Sequence, residues 1–278
     1  MKLLMENWRK FVNEEEGEQF PPNDDYENSY FPWLNHISPL DSSKFDRVGG
    51  GTYREVYSPK SDSEDFVVKI ATNRRGRIEE GRDMNEIEFE ASRKFPNVFP
   101  KAYSHADDWS WVVTERITIL KPDDVHWDEL IVVNFPDIKE FISKGKFVYN
   151  GEEKSIKNVL LGADIFVVQN ELSSEGVFFH ITQALMQGGS GDSSRYKTGW
   201  SKKMADQYLG SETKDVEKAA YQIIFDYGMK SENDPIFNEL YRAYTDLKLE
   251  PSDWGAGNIG IDKMSNLKIA DASPYFEM

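Results

Sequence analysis

Apolar positions along this chain recur with two periods, and the shortest runs are the most telling. Phe66-Val67-Val68-Lys69-Ile70 is nearly unbroken and rich in β-branched residues, which predicts a strand buried on both faces. Residues 109–117 (WSWVVTERI) predict a second buried strand that runs into a linker at Glu115-Arg116-Ile117. Helical spacing dominates elsewhere. Residues 82–94 read as a helix with Ile87 and the stretch from Phe89 to Phe95 on its apolar side, and Pro96 and Pro100 bracket the loop that follows. Residues 137–143, 177–186, 216–227 and 235–249 give further helices, the last started by Asn233-Asp234-Pro235. Residues 165–169 fit a strand or the start of a buried helix.

Turn chemistry divides these elements. Asn150-Gly151 after Phe147-Val148-Tyr149 predicts a hairpin, because both residues tolerate the positive φ of a type I′ turn. Ser58 to Asp65 is a polar turn between two strands, and Leu267-Lys268-Ile269-Ala270 is a short strand-like run. At the front, Leu4, Trp8, Phe11 and Val12 give an amphipathic helix over 1–13, followed by an acidic run and a linker over 17–29. Residues 188–194 (GGSGDSS) read as a surface loop. A sharper reading makes that loop a substrate lid, with Arg195, Lys197, Lys202 and Lys203 as anion contacts.

Composition narrows the class. The chain has 278 residues, enough for one large or two modest domains, and a net charge of −16. That charge argues against sequence-independent nucleic-acid binding and against anionic membranes. Cysteine is absent, so disulfides and thiolate metal sites are excluded. The four histidines (His36, His105, His126, His180) lack metal-ligand spacing. No apolar run approaches the roughly 20 residues needed to span a bilayer, and the opening lacks a secretory apolar region. A cytoplasmic location is expected.

Candidate chemistry centres on Asp253, Asn258 five positions on, and Asp271 beyond the strand-like run. Transfer of a phosphoryl group from ATP needs such a set, with one carboxylate for the attacking hydroxyl and an amide and an acid for Mg²⁺. Upstream, Gly49-Gly50-Gly51 would let a hairpin backbone approach a triphosphate. Lys69 emerges from a buried strand, which is costly without an anionic partner. Glu86 is the expected partner on the following helix, with Glu88 and Glu90 as competitors. Each residue also has a plainer reading: turn-capping acid and amide, hairpin glycines, a lysine whose stem packs while its head reaches water. Trp254 reads as a packing residue.

The order of glycine loop, strand lysine, helix glutamate, strand with linker, D-x-x-x-x-N and final aspartate resembles the protein-kinase-like superfamily, over residues 47–117 and 240–273. The resemblance implies an α+β, bilobal fold. A small antiparallel β-sheet N-lobe with one helix would span 31–117, a larger and mainly helical C-lobe 118–278, and 1–30 would precede both. It implies ATP and Mg²⁺ as cofactors. Lys69 would contact the α/β-phosphates and Glu86 would pair with it. Thr114 would stand at the back of the adenine pocket, and the backbone of Glu115 to Ile117 would meet the adenine edge. Asp253 would be the catalytic acid/base, and Asn258 and Asp271 the magnesium ligands.

Four departures accompany the resemblance. Arg54 replaces the third loop glycine, Pro251-Ser252 stand for His-Arg, Ala272-Ser273 stand for Phe-Gly, and seven residues follow Asp271. The short tail leads one to expect no activation segment, and an acceptor that is a small molecule or an unusual protein. The expected function is γ-phosphate transfer to a hydroxyl. The alternatives are an inactive, kinase-shaped binding module and nucleotidyl transfer from ATP.

Overall fold

The apolar run at 66–71 becomes the middle strand of an antiparallel sheet. In this computed structural model the described residues are 45–60, 66–73, 76–121, 124–163, 172–188, 215–230, 232–249, 251, 254 and 257–272. The expected helix over 1–13, the linker over 17–29, the segment 165–169, most of the loop 188–194 and its four nearby cations lie outside them. The chain divides into two compact units, 1–117 and 118–278. Its class is α+β, with an antiparallel N-terminal sheet and, among the described residues, seven helices.

The first unit holds β1 (Phe45–Gly50), β2 (Arg54–Pro59), β3 (Phe66–Ala71), β4 (Ala102–His105) and β5 (Trp111–Glu115), in the order β1-β2-β3-β5-β4. Five of the six β3 side chains and four of the five on β5 are buried, as a two-sided apolar run requires. The expected strand over 109–117 is shorter at both ends. Trp109 has a left-handed φ of 58° and belongs to the β4–β5 turn, where its N–H donates to the Ala106 carbonyl at 3.0 Å.

Helix α1 (Ile78–Lys94) lies between β3 and β4 in the chain and starts a turn earlier than expected. Its inward stripe is Gly81, Met84, Asn85, Glu88, Ala91 and Ser92, at the i, i+3, i+4, i+7 spacing of one helix face. Glycine at position 81 is a packing requirement: a Cβ there would come within 2.5 Å of the Tyr53 carbonyl and 3.0 Å of the Ala71 Cβ. The helix therefore rests directly on the β2–β3 hairpin.

In the second unit, α2 (His126–Asn134), α3 (Pro136–Lys144), α4 (Ile156–Ala163), α5 (Ser174–Gly188), α6 (Asp215–Gly228) and α7 (Pro235–Asp246) surround a core that includes Leu130, Phe135, Ile138, Leu185, Ile224 and Phe237. Helix α7 starts as its sequence dictates. Asp234 accepts from the Phe237 N–H at 2.6 Å, and Pro235 fills the first turn, where its missing N–H costs nothing. The Asn150-Gly151 turn joins β7 (Lys146–Tyr149) to β8 (Glu152–Ser155) with φ values of 52° and 82°.

A three-stranded sheet completes the unit: β6 (Thr118–Ile119), β9 (Ile259–Ile261) and β10 (Leu267–Ile269), in the order β10-β9-β6. Buried Asn134 ties this sheet to α2. Its Nδ2 donates to the carbonyls of Leu130 (2.9 Å) and Ser265 (3.0 Å), and its Oδ1 accepts from the Leu267 N–H (3.1 Å). Among the described residues no helix is long and apolar enough to cross a membrane.

Candidate functional site

Pairing across the sheet fixes which side chains share a face. Val56 stands opposite Lys69, Arg54 opposite Ala71, Lys69 opposite Val112 and Val67 opposite Thr114. With alternation along each strand, Arg54, Lys69 and Thr114 all project from one face.

Lys69 is 6% exposed, and its Nζ donates to Oε1 of Glu88. The second oxygen of that carboxylate, Oε2, accepts from Arg54 Nη1 at 2.7 Å. Arg54 Nη1 also reaches Asn85 Oδ1 at 3.2 Å, and Asn85 Nδ2 donates to the Trp109 carbonyl at 2.7 Å. Burial alone pushes the Glu88 carboxyl up. The charges of Lys69 and Arg54, with their hydrogen bonds, outweigh burial and hold it below the usual carboxylate range.

The partner of Lys69 is thus Glu88, and the expectation of Glu86 is corrected. Two residues along a helix are about 200° apart, so the two glutamates face opposite ways. Glu86 is exposed; Glu88 lies at the centre of the inward stripe. Arg54 and Asn85 were missed as site residues. The signal for Asn85 was the small-and-polar stripe of α1, which an eye for large apolar residues passes over.

The glycines occupy the end of β1 and the start of the turn into β2. Gly49 and Gly50 are strand residues, and the Gly51 N–H donates to the Arg54 carbonyl at 2.9 Å. Among the described residues nothing lies within 4 Å of a Cβ added at Gly51, and the residue has no left-handed φ, so those residues make no demand for glycine there.

Thr114 is fully buried, and its Oγ1 has no hydrogen-bond partner among the described residues. Beyond it, the Glu115 N–H is committed to the Lys101 carbonyl at 2.7 Å. An adenine edge could therefore use Glu115 only through its carbonyl, with Ile117, half-buried at the end of the first unit, as the next contact.

In the second unit, β9 and β10 pair Ile259 with Ile269 and Ile261 with Leu267. One step past the Ile259–Ile269 pair, the Ala270 N–H donates to the Asn258 carbonyl at 2.7 Å. Asn258 and Asp271 consequently flank the open end of one hairpin, and both are half-buried. The closed end is held by Asp262, whose carboxylate accepts from the N–H groups of Met264 (2.8 Å) and Asn266 (2.9 Å). The loop before β9 is stitched to the segment after β6: the Leu120 N–H donates to the Ile259 carbonyl at 2.8 Å, and the Gly257 N–H to the Leu120 carbonyl at 3.3 Å. Gly257 has a φ of 102°, which an L side chain rarely adopts. Trp254, in the same loop, is buried as a packing residue. Asp253 lies outside the described residues.

These residues fit the groups the resemblance implies. Thr114 offers an orphaned buried hydroxyl on the face that carries Lys69. Asn258 and Asp271 offer oxygen donors, which suit a hard divalent cation. Among the described residues no three His, Asp or Glu side chains cluster as a metal cage. A nucleotide-borne Mg²⁺ does not need one, since phosphates and water supply most of its ligands. No family model matches the chain, and a search of the curated proteins finds no match to it either.

Proposed function

We propose that this protein is an ATP- and Mg²⁺-dependent phosphotransferase of kinase-like fold that passes the γ-phosphate to a hydroxyl of a protein or small molecule. The observation that carries the reading is the buried ion pair between Lys69 and Glu88. A strand lysine paired with a glutamate on a helix packed against the sheet is what a kinase uses to hold the α/β-phosphates. The pairing of Asn258 beside Ala270, with Asp271 next in line, adds support from the other end of the chain.

The chemistry Mg²⁺ would supply when bound is positive charge against the charge that develops during transfer. The chain's own residues position the reactants. Lys69 and the backbone amides of Gly49 to Gly51 would hold the phosphates. Asn258 and Asp271 would ligate the cation. Asp253 would orient the acceptor hydroxyl and take its proton. Positioning and charge stabilisation of this kind supply most of the rate gain in the reaction class.

Incubation with ATP, Mg²⁺ and a panel of hydroxyl-bearing sugars and proteins tests the reading, with product masses as the measurement. A gain of one phosphate is expected. A gain of AMP would instead assign nucleotidyl transfer, and no gain with intact ATP binding a binding module. Asp253→Ala should lower turnover by about 10²–10⁴-fold with ATP affinity largely kept, and Asp271→Ala should weaken Mg²⁺–ATP binding. Unchanged turnover in Asp253→Ala would reject the proposal.

A further inference from the structure

Glu88 meets two buried cations rather than one, and they take different oxygens. Lys69 Nζ holds Oε1, and Arg54 Nη1 holds Oε2 at 2.7 Å; all three residues are at most 6% exposed. The cations come from adjacent strands and share a face, since Arg54 precedes by two residues the Val56 that stands opposite Lys69. A glutamate paired with a lone lysine has a difficulty in this setting. Whenever the ammonium turns to a ligand, the buried carboxylate loses its only counter-charge, and an uncompensated buried charge is strongly destabilising.

We infer that Arg54 is a positioning residue, a second and permanent counter-ion that keeps Glu88 in place while Lys69 turns its charge to a phosphate. The inference rests on the phosphotransferase reading for the identity of that phosphate. Arg54 suits the part chemically, because a guanidinium stays charged at any working pH and its planar fork can bond two acceptors at once. It is also fixed at three points. Its guanidinium reaches Asn85 Oδ1 at 3.2 Å as well as Glu88, Asn85 is anchored to the Trp109 carbonyl, and the Arg54 carbonyl accepts the Gly51 N–H at 2.9 Å. One residue thereby ties the glycine-bearing turn, helix α1 and the β4–β5 turn to the same carboxylate. Arginine at the place of the third loop glycine is then a gain of function for that position.

A double-mutant cycle tests this, with thermal unfolding as the first readout and binding of ATP with Mg²⁺ as the second. Arg54→Met and Lys69→Met should each stay folded, with Tm lowered by about 3–8 °C, because one cation remains on Glu88 in either case. Lys69→Met should lose nucleotide affinity by at least about tenfold. The double variant should lose more than twice the summed Tm shifts, and adding Glu88→Gln to it should restore most of the loss. That rescue separates a stranded charge from lost packing. Additive shifts, failure of Lys69→Met alone to fold, or no rescue by Glu88→Gln would each overturn the inference. If the unaltered protein fails to bind ATP with Mg²⁺, the phosphotransferase reading falls, while the unfolding cycle still decides whether Arg54 holds Glu88.

Discussion

Among the described residues nothing stands in the way of a side chain at Gly51. It has room for a Cβ, no left-handed φ, and an N–H already bonded to the Arg54 carbonyl. Under the proposed function, glycine here leaves the backbone open to a phosphate. Gly51→Ala should therefore change Tm by no more than about 2 °C yet weaken binding of ATP with Mg²⁺ by about tenfold, a difference of about 1.4 kcal/mol. Calorimetric titration beside thermal unfolding checks both halves. Equal affinity in the two proteins would remove this turn from the phosphate site. At this scale the need of Lys69 for an anionic partner was legible, because a cation in an apolar strand is costly without one. The choice between Glu86 and Glu88 was not, because it depends on helix phase. Two positions swing a side chain from sheet to solvent, and the large apolar residues around them, Ile87 and Phe89, are only half-buried and so mark the wrong phase.

Helix α1 shows why the phase was hidden. Its inward face is built from a glycine, a methionine, an asparagine, a glutamate, an alanine and a serine. The sheet beneath presents Lys69 and Arg54, and a helix that must answer two cations carries polar groups on its buried side. Hydrophobic periodicity reads such a helix as half a turn out. Helix α2 was illegible for a related reason: Val132 and Val133 are exposed while Trp127 and Asn134 are buried, so no clean stripe forms. The β7–β8 turn and the start of α7 were legible because Asn-Gly and Asp-Pro act locally, through φ and capping, with no help from the fold. Gly81 gives the element-scale prediction. In an exposed helix Gly→Ala stabilises by about 1 kcal/mol. Here the added Cβ would meet a backbone carbonyl at 2.5 Å, which cannot swing aside as a flexible side chain would. Gly81→Ala should cost about 1–3 kcal/mol net by lifting α1 off the β2–β3 hairpin. Chemical denaturation measures it, and a gain in stability would mean the helix has slack.

Two buried carboxyls of opposite character set how the molecule responds to pH. Glu88 is held below the usual carboxylate range, so its contribution is complete above that range and is lost only as pH falls through the lowered value. Asp234 is the reverse. Burial, then the neighbouring Asp137 charge, raise its carboxyl from 3.8 to about 7, against the hydrogen bonds it accepts at the start of α7. Between those two values the folded protein keeps a proton that the unfolded chain releases, so stability falls as pH rises through the interval. A net charge of −16 acts in the same direction, since self-repulsion grows above the pI near 4.8. Thermal stability should peak at about pH 4–5 and decline as pH rises to about 7, above which Asp234 adds no further slope. Asp234→Asn separates the two causes, because asparagine caps a helix as well as aspartate does and carries no charge. The substitution should raise Tm at pH 8 by about 3–8 °C, with the gain shrinking as pH falls and reaching about 1 °C or less near pH 4. The decline that persists in the variant should shrink in about 0.5 M NaCl, which screens surface repulsion but hardly reaches a buried carboxyl. A variant that declines as steeply with pH as the unaltered protein would show that Asp234 is already ionised in the fold, and would leave surface charge as the whole of the effect.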